Sequence, residues 1–256
     1  MSVTTRTAHA PSSFATRVWR ITRLLTANPW TTMGLPLVIL TIIFGATWTI
    51  WWLIMSSVSS AEATEVSQGI QFNGASAWIF VYMLVVAVQA VNLAFPLALG
   101  YGSTRRAFTI GASLTFVLLS AGYALIMTLA AWTEEITGGW GLGGSFFRTF
   151  YFASQDGWIA QWWIYFCWFV FFFFTGLIFA AVFVRWKALG LTTALVTLGL
   201  VALGSIVIVT LTESWPAVGD GIASLGTLGV ASVMLVPAVL AAGLGHLLLR
   251  RATPRN

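Results

Sequence analysis

Few residues in this sequence have side chains that bind metals or catalyse reactions. The chain contains two histidines, His9 and His246, and one cysteine, Cys167, which are far apart along the sequence. These residues have no metal-ligand spacing, and a single cysteine forms no disulfide within the chain. The sequence also lacks a carboxylate pair near a histidine and a Ser-His-Asp set, which a hydrolase needs. We therefore expect no catalytic, metal or cofactor site.

The composition indicates a protein surrounded mostly by lipid. Of the 256 residues, 59% are hydrophobic and 7% are charged, and the mean hydropathy is +0.91. A soluble domain carries roughly 25% charged residues, so these charges are too few to cover a water-exposed surface. The net charge of +5 does not indicate a nucleic-acid partner, because the basic residues adjoin apolar segments.

Six apolar segments follow a polar N-terminal region, and each is near the ~20 residues that a helix needs to cross a bilayer. The sequence therefore predicts an all-α, polytopic membrane protein. Residues 1–28 would form a cytoplasmic tail and an amphipathic interfacial helix, and residues 29–256 a six-helix transmembrane domain. The predicted spans are 35–58, 77–100, 108–132, 162–184, 188–211 and 226–249.

The basic residues predict the orientation of these spans. Except for Arg148, every arginine and the single lysine lies in a terminal region or in the connection after span two or span four. All acidic residues fall on the other side. Cytoplasmic loops collect Lys and Arg, so we expect both termini in the cytoplasm of a bacterial cell, with the protein in the cytoplasmic membrane.

The segment 14–25 has apolar residues at helical spacing and arginines on its remaining surface. Trp19 adds a ring suited to the lipid headgroup zone, and Arg20 and Arg23 lie beside it. The pattern predicts a short helix on the cytoplasmic membrane face, and a simple basic juxtamembrane anchor is the alternative. The Asn28-Pro29 pair would end this helix.

Gln89 and Asn92 are the amides within the predicted spans, and both lie in span two. Residues three apart share a helix face, and amides in lipid need hydrogen-bond partners. These two side chains could therefore belong to a translocation path or make hydrogen bonds between helices.

The longest outer connection, 133–161, contains a glycine-rich stretch followed by aromatic residues around Arg148. This pattern predicts a helix that lies in the outer membrane interface and could form an outer gate. The candidate gate residues are Phe146, Phe147, Phe150 and Tyr151.

Prolines and glycines predict breaks in the C-terminal half. Pro216 and the nearby glycines predict an irregular cap over residues 214–224, before the last span. Pro96 in span two and Pro237 in span six should kink their helices.

The sequence contains no motif that indicates an energy source of its own, such as ATP hydrolysis. The only lysine, Lys187, follows Trp186, so the phosphate-binding motif G-x-x-x-x-G-K-[ST] is absent. No acidic residue lies in the middle of a span, although ion-coupled carriers place charges at membrane depth. The two halves show no internal repeat, which weakens an inverted-repeat transporter.

The turn between spans two and three, FPLALGYGSTRRAF at 95–108, resembles a family motif. The apolar run breaks at two glycines, exposes Ser103, Thr104 and a pair of arginines, and then resumes. Type-2 permease subunits of ATP-binding-cassette exporters commonly carry a Gly-x-[Ser/Thr]-Arg-like element there. The chain also resembles this family in its basic helix before span one, its six-span plan and its glycine- and aromatic-rich outer segment.

The resemblance implies the permease subunit of an ATP-driven exporter that works by alternating access. Two permeases, identical or related, would rest on two cytoplasmic ATPase subunits. The turn and the N-terminal helix would contact the ATPase, although topology alone also explains the arginine pair. The implied contact residues are Gly102, Ser103, Thr104, Arg105, Arg106, Phe108, Trp19, Arg20 and Arg23.

Two other classes of protein remain open. The first is a non-transporting membrane accessory, such as an assembly factor or an immunity protein. The second is an ion-coupled carrier, for which Glu213 near a predicted helix end is a marginal candidate. The sequence does not identify the substrate, and the short loop between spans five and six departs from larger family members.

Overall fold

The computed structural model describes residues 13–58, 69, 74–149, 152–153 and 156–251. Within these ranges every regular element is helical and none is a strand, as the sequence predicts. Short helical turns at Trp30–Gly34, Ala75–Ala77 and Gly139–Gly143 accompany the longer helices. The longer helices are α1 (Phe14–Leu25), α2 (Leu35–Ser57), α3 (Trp78–Gly100), α4 (Arg105–Ile136), α5 (Trp158–Leu211), α6 (Trp215–Val233) and α7 (Leu235–Arg251).

Five helical stretches among the described residues are long and apolar enough to cross a membrane. The structure thereby confirms an all-helical architecture for the described residues, with several helices that are candidates for crossing a membrane. Two of the five contain the last three predicted spans, because α5, which covers two of them, is counted as one stretch and the α6–α7 pair as another. The stretches are Trp30–Ser57, Ala75–Gly100, Arg105–Ile136, Trp158–Leu211 and Trp215–Arg250.

Helix α5 is too long for one span and is broken at Lys187. Its 54 residues would extend roughly 80 Å as a straight helix at 1.5 Å per residue, against a hydrocarbon core of ~30 Å. Lys187 has φ 59° and ψ −155°, a conformation that a non-glycine residue adopts at a cost of about 1–3 kcal/mol. A Cβ added to Gly190 would lie 2.2 Å from the Cβ of Trp186, so the next turn requires glycine.

The part of α5 before this break, residues 158–186, is central to the bundle. It packs against α3, α4 and α7. Phe80 of α3 lies 4.6 Å from Phe169, measured between ring centroids. A Cβ on Gly176 would lie 2.5 Å from the carbonyl oxygen of Leu84, so α3 and α5 approach each other closely. By contrast, no residue between 182 and 230 is buried.

Helix α1 has the predicted bounds, and its apolar face lies against α4. Ser13 caps its start, since the Ser13 hydroxyl accepts a hydrogen bond from the Thr16 amide at 3.2 Å. A Cβ on Gly111 would lie 2.7 Å from the Cβ of Ile21. The sequence predicted that lipid would lie beneath this face, whereas the structure places α4 there.

The prediction of an irregular cap at 214–224 is wrong. Helix α6 begins at Trp215, and Pro216 lies in its first turn, where the missing N–H removes no intrahelical bond. The helix breaks only at Gly226, which has φ 61°. Pro237 has the predicted effect, because the helical stretch divides at Met234.

Candidate functional site at one end of the bundle

The turn between α3 and α4, residues 100–108, which we call the elbow, is fixed by hydrogen bonds at both ends. The Ser103 amide donates to the carbonyl of Ala98 at 2.9 Å, which closes the end of α3. Gly102 has φ 76°, the left-handed conformation that ends many helices. Thr104 then caps α4, since its hydroxyl accepts from the Ala107 amide at 3.2 Å.

Arg105 and Arg106 connect the elbow to two other helices. The Arg105 guanidinium donates to the carbonyl of Arg250 at the end of α7, at 2.8 Å. Cations stabilise helix C-termini, because the unpaired carbonyls there carry partial negative charge. The Arg106 guanidinium lies 5.6 Å from the ring centroid of Phe14 in α1. The elbow therefore contacts both α1 and α7.

Helix α1 and the elbow form one surface. Arg17 and Arg20 of α1 and Tyr101 and Ser103 of the elbow line a cavity of ≈ 260 Å³ between them. The predicted contact residues of α1, which are Trp19, Arg20 and Arg23, are all exposed beside it. The structure thus brings together the two elements that the sequence singled out separately.

Phe108 is the one predicted contact residue of the elbow that lies in the core. Its side chain is fully buried, and its ring lies 5.1 Å from that of Phe95, edge to face. Phe108 thus fixes the start of α4 against α3. Its side chain does not reach the surface on which Gly102, Thr104 and Arg106 are exposed.

The two amides of α3 have different surroundings. Gln89 is exposed and lines a cleft of ≈ 280 Å³ beside the end of α1. Asn92 does not line that cleft, and its side-chain oxygen is buried without a hydrogen-bond partner among the described residues. The structure therefore does not place both amides in the same cavity.

At the opposite end of α4, the turn of residues 137–149 is organised around Glu134. This carboxylate is 3% exposed and accepts hydrogen bonds from three successive backbone amides. The donors are Phe146 at 2.8 Å, and Phe147 and Arg148 at 2.9 Å each. The indole N–H of Trp140 adds a fourth bond at 3.1 Å. Because both carboxylate oxygens are occupied by N–H donors, Glu134 holds this turn in place.

The aromatic residues of this turn do not form the predicted interfacial helix. The described residues 144–149 are not helical, and Phe146 and Phe147 are buried. Their rings lie 5.2 Å and 5.7 Å from that of Phe44 in α2. The helix predicted there is therefore wrong for these residues, whereas Phe150 and Tyr151 of the candidate gate lie outside the described residues.

Sequence reasoning missed the role of Glu134, which it counted only as an outer acid. The signal was an acid directly before a glycine-rich stretch, followed by Phe146-Phe147-Arg148. Beside it, Arg148 forms an ion pair with Glu135 at 2.8 Å and lies 5.5 Å from the ring centroid of Trp158. These contacts tie the turn to the start of α5.

Neither a cluster of metal ligands among the described residues nor a similar known protein assigns a function to the elbow or to the turn of residues 137–149. Among the described residues, no three His, Cys, Asp or Glu side chains lie close enough together to hold a metal ion. Comparisons with protein-family models, with curated proteins and with solved structures found no match. A functional proposal must therefore start from the elbow surface and the sequence pattern.

Proposed function

We propose that this protein is the membrane-spanning subunit of an ATP-driven exporter, a permease of the type-2 ATP-binding-cassette class. The observation that carries the proposal is the surface that the elbow shares with α1. Arg20 of α1 and Gly102 of the elbow line the same cavity, and Trp19, Arg23 and Arg106 are exposed on these two elements. That surface is the candidate contact for a cytoplasmic ATPase subunit.

The elbow has the mechanical properties that such a contact needs. It joins α3 to α4 through a hydrogen-bonded turn, and Arg105 links it to the end of α7. A displacement of the elbow would move these three helices together, because packed helices shift as units. The movement of the ATPase subunits as they close on ATP could thus be transmitted to the helix bundle through the elbow.

The proposal includes six spans with both termini in the cytoplasm. In this arrangement, the two parts of α5 on either side of Lys187 are separate spans. The α6–α7 stretch is the sixth span. Charge asymmetry supports this orientation, since Arg148 is the only basic residue, among those that the structure describes, at the end of α4 that contains Glu134. A second, identical or related permease would complete the transporter. The substrate is left unassigned.

The test is co-purification of an ATPase with the tagged full-length chain from its native membranes. We expect a P-loop ATPase to remain bound, and Arg106→Glu to reduce its retention at least ~10-fold, the effect of about 1.4 kcal/mol. Arg106 is preferable to Arg105, because Arg105 also contacts α7. Arg185→Glu is the matched control, because Arg185 is also exposed and stacks on an aromatic ring, 4.5 Å from that of Trp186.

Three results would count against the proposal. Equal ATPase retention by the Arg106→Glu and Arg185→Glu variants would remove the elbow from the contact. A wild-type chain that is purified without any P-loop ATPase would favour an accessory protein. Substrate flux that collapses with the proton gradient and does not respond to ATP would favour an ion-coupled carrier.

A further inference from the structure

Two adjoining cavities lie between α1 and α3. The first is the ≈ 260 Å³ cavity at the elbow, lined by Arg17, Arg20, Tyr101 and Ser103 among others. The second is the ≈ 280 Å³ cleft, which is lined mostly by apolar side chains of α1 and α3. Leu24 lines both, so the cavities meet at this residue. We call the pair the α1–α3 groove.

The elbow end of the groove is cationic. Arg17 and Arg20 are three residues apart, so they lie on the same side of α1. Residues 1–61 and 78–133 contain no acid, so every charged side chain of α1, α3 and the elbow is basic. The planar guanidinium group matches the oxygens of a phosphate in a bidentate geometry. Ser103 also lines this cavity.

The rest of the groove is mostly apolar and has the depth of one lipid leaflet; its polar lining residues are Asn28, Thr31, Thr32 and Gln89. On α3 its wall runs from Leu97 through Leu93 and Ala90 to Val86. At 1.5 Å per residue this wall extends about 16 Å, roughly half of the ~30 Å hydrocarbon core. Leu93 is 71% exposed and Leu97 is 53% exposed, so the wall is open at these two residues.

We propose that the α1–α3 groove binds an anionic glycerophospholipid, with its phosphate between Arg17 and Arg20 and one acyl chain along α3. A soluble phosphate compound matches only the cationic end, and an uncharged apolar molecule matches only the wall. An anionic lipid fits both, and the charge and the chain add to its affinity. Binding requires no ATPase, so this inference goes beyond the proposed function.

The test uses the purified full-length chain in detergent, titrated with phosphatidylglycerol and examined by native mass spectrometry. We expect the Arg17→Gln/Arg20→Gln variant to retain phosphatidylglycerol at least ~10-fold less than the wild-type chain, a loss of about 1.4 kcal/mol or more. Arg23→Gln is the matched control, because Arg23 is exposed on the same helix and does not line the groove. It should retain the lipid as the wild type does.

A second pair of variants tests the acyl-chain part of the groove. Leu93→Trp places a large ring in the apolar wall and should also reduce retention of phosphatidylglycerol. Val85→Trp is the control, since Val85 is exposed on α3 outside the groove. Both positions are exposed, so neither substitution overpacks the core, and unchanged elution from gel filtration verifies the fold.

Competing ligands separate the sources of phosphate. Phosphatidylcholine with the same chains should bind at least ~10-fold more weakly than phosphatidylglycerol, because its headgroup has no net charge. Equal binding of the two lipids, or equal retention by the Arg17→Gln/Arg20→Gln and Arg23→Gln variants, would overturn the proposal. Displacement of the lipid by millimolar inorganic phosphate with no effect of Leu93→Trp would show a phosphate site without a lipid chain. None of these outcomes involves the ATPase, so they do not bear on the docking proposal.

Discussion

Glu134 is the acidic side chain with the most hydrogen bonds among the described residues. Three successive amides and one indole N–H surround its carboxylate. Charge-assisted hydrogen bonds of this kind are roughly twice as strong as neutral ones. The aromatic turn of residues 137–149 can pack on α2 because a buried anion at its centre satisfies the backbone amides of the turn.

We predict that Glu134→Gln lowers the stability of the protein by about 2–3 kcal/mol, because an amide places N–H donors opposite N–H donors. Thermal unfolding in detergent, followed by tryptophan fluorescence, measures the effect. Glu135→Gln is the matched control, since Glu135 is half exposed and forms an ion pair with Arg148. Its loss should stay below about 1 kcal/mol. Equal losses would show that the amides do not depend on the Glu134 charge.

The roles of individual side chains, such as that of Glu134, were the hardest to predict from the sequence. The aromatic residues around Arg148 suggested a helix, but the segment is a turn held by the carboxylate of Glu134, which lies 12 residues before Phe146. Likewise, the family resemblance implied that Phe108 belongs to the contact surface of the elbow. Its burial against Phe95 depends on the way in which α3 and α4 pack.

Among the elements, α1 links the N-terminal region to the bundle. Its polar face carries exposed arginines, whereas its apolar face meets α4 at a glycine. A side chain larger than hydrogen at Gly111 would separate the two helices, because the nearest atoms belong to the side chain of Ile21 and the backbone of Val18. The position of α1, and with it the surface that α1 shares with the elbow, therefore depends on glycine at residue 111.

We predict that Gly111→Ala displaces α1 and makes its arginines more accessible to trypsin. Overpacking of this kind costs about 1–3 kcal/mol. Gly122→Ala lies on the same helix with no atom within 4 Å of the added Cβ, so it should leave the cleavage rate unchanged. Cleavage of α1 at equal rates in both variants would contradict the observed packing.

The sequence predicted the type and approximate position of most helices, since apolar length and charge placement are local properties. The predicted bounds of α1 match those observed, and the predicted 77–100 matches α3 within one residue. Helix α4 begins at Arg105 rather than at residue 108, because Thr104 caps it. Helix α6 was missed because its proline and glycines resemble those of a loop.

In the whole molecule, the elbow and the turn held by Glu134 lie at opposite ends of α4. The elbow lies at the start of this helix and Glu134 lies near its end, 29 residues later in a helix of 32. That separation corresponds to roughly 40 Å at 1.5 Å per residue, enough to place them on opposite sides of a bilayer. The residues from 182 to 230 remain without buried side chains, and lipid or the second permease of our proposal would cover them.

The central claim is that the elbow lies on the cytoplasmic side, where an ATPase subunit can reach it. The measurement is labelling of single cysteines with a membrane-impermeant thiol reagent in intact cells and in inside-out vesicles. Tyr101→Cys and Ile159→Cys are a matched pair, because Tyr101 is 84% exposed and Ile159 is 86% exposed, at opposite ends of the bundle. The native Cys167 is buried, so it contributes little background. Our account predicts that Tyr101→Cys is labelled only in the vesicles and Ile159→Cys only in intact cells. Labelling of Tyr101→Cys in intact cells would place the elbow outside and contradict the account.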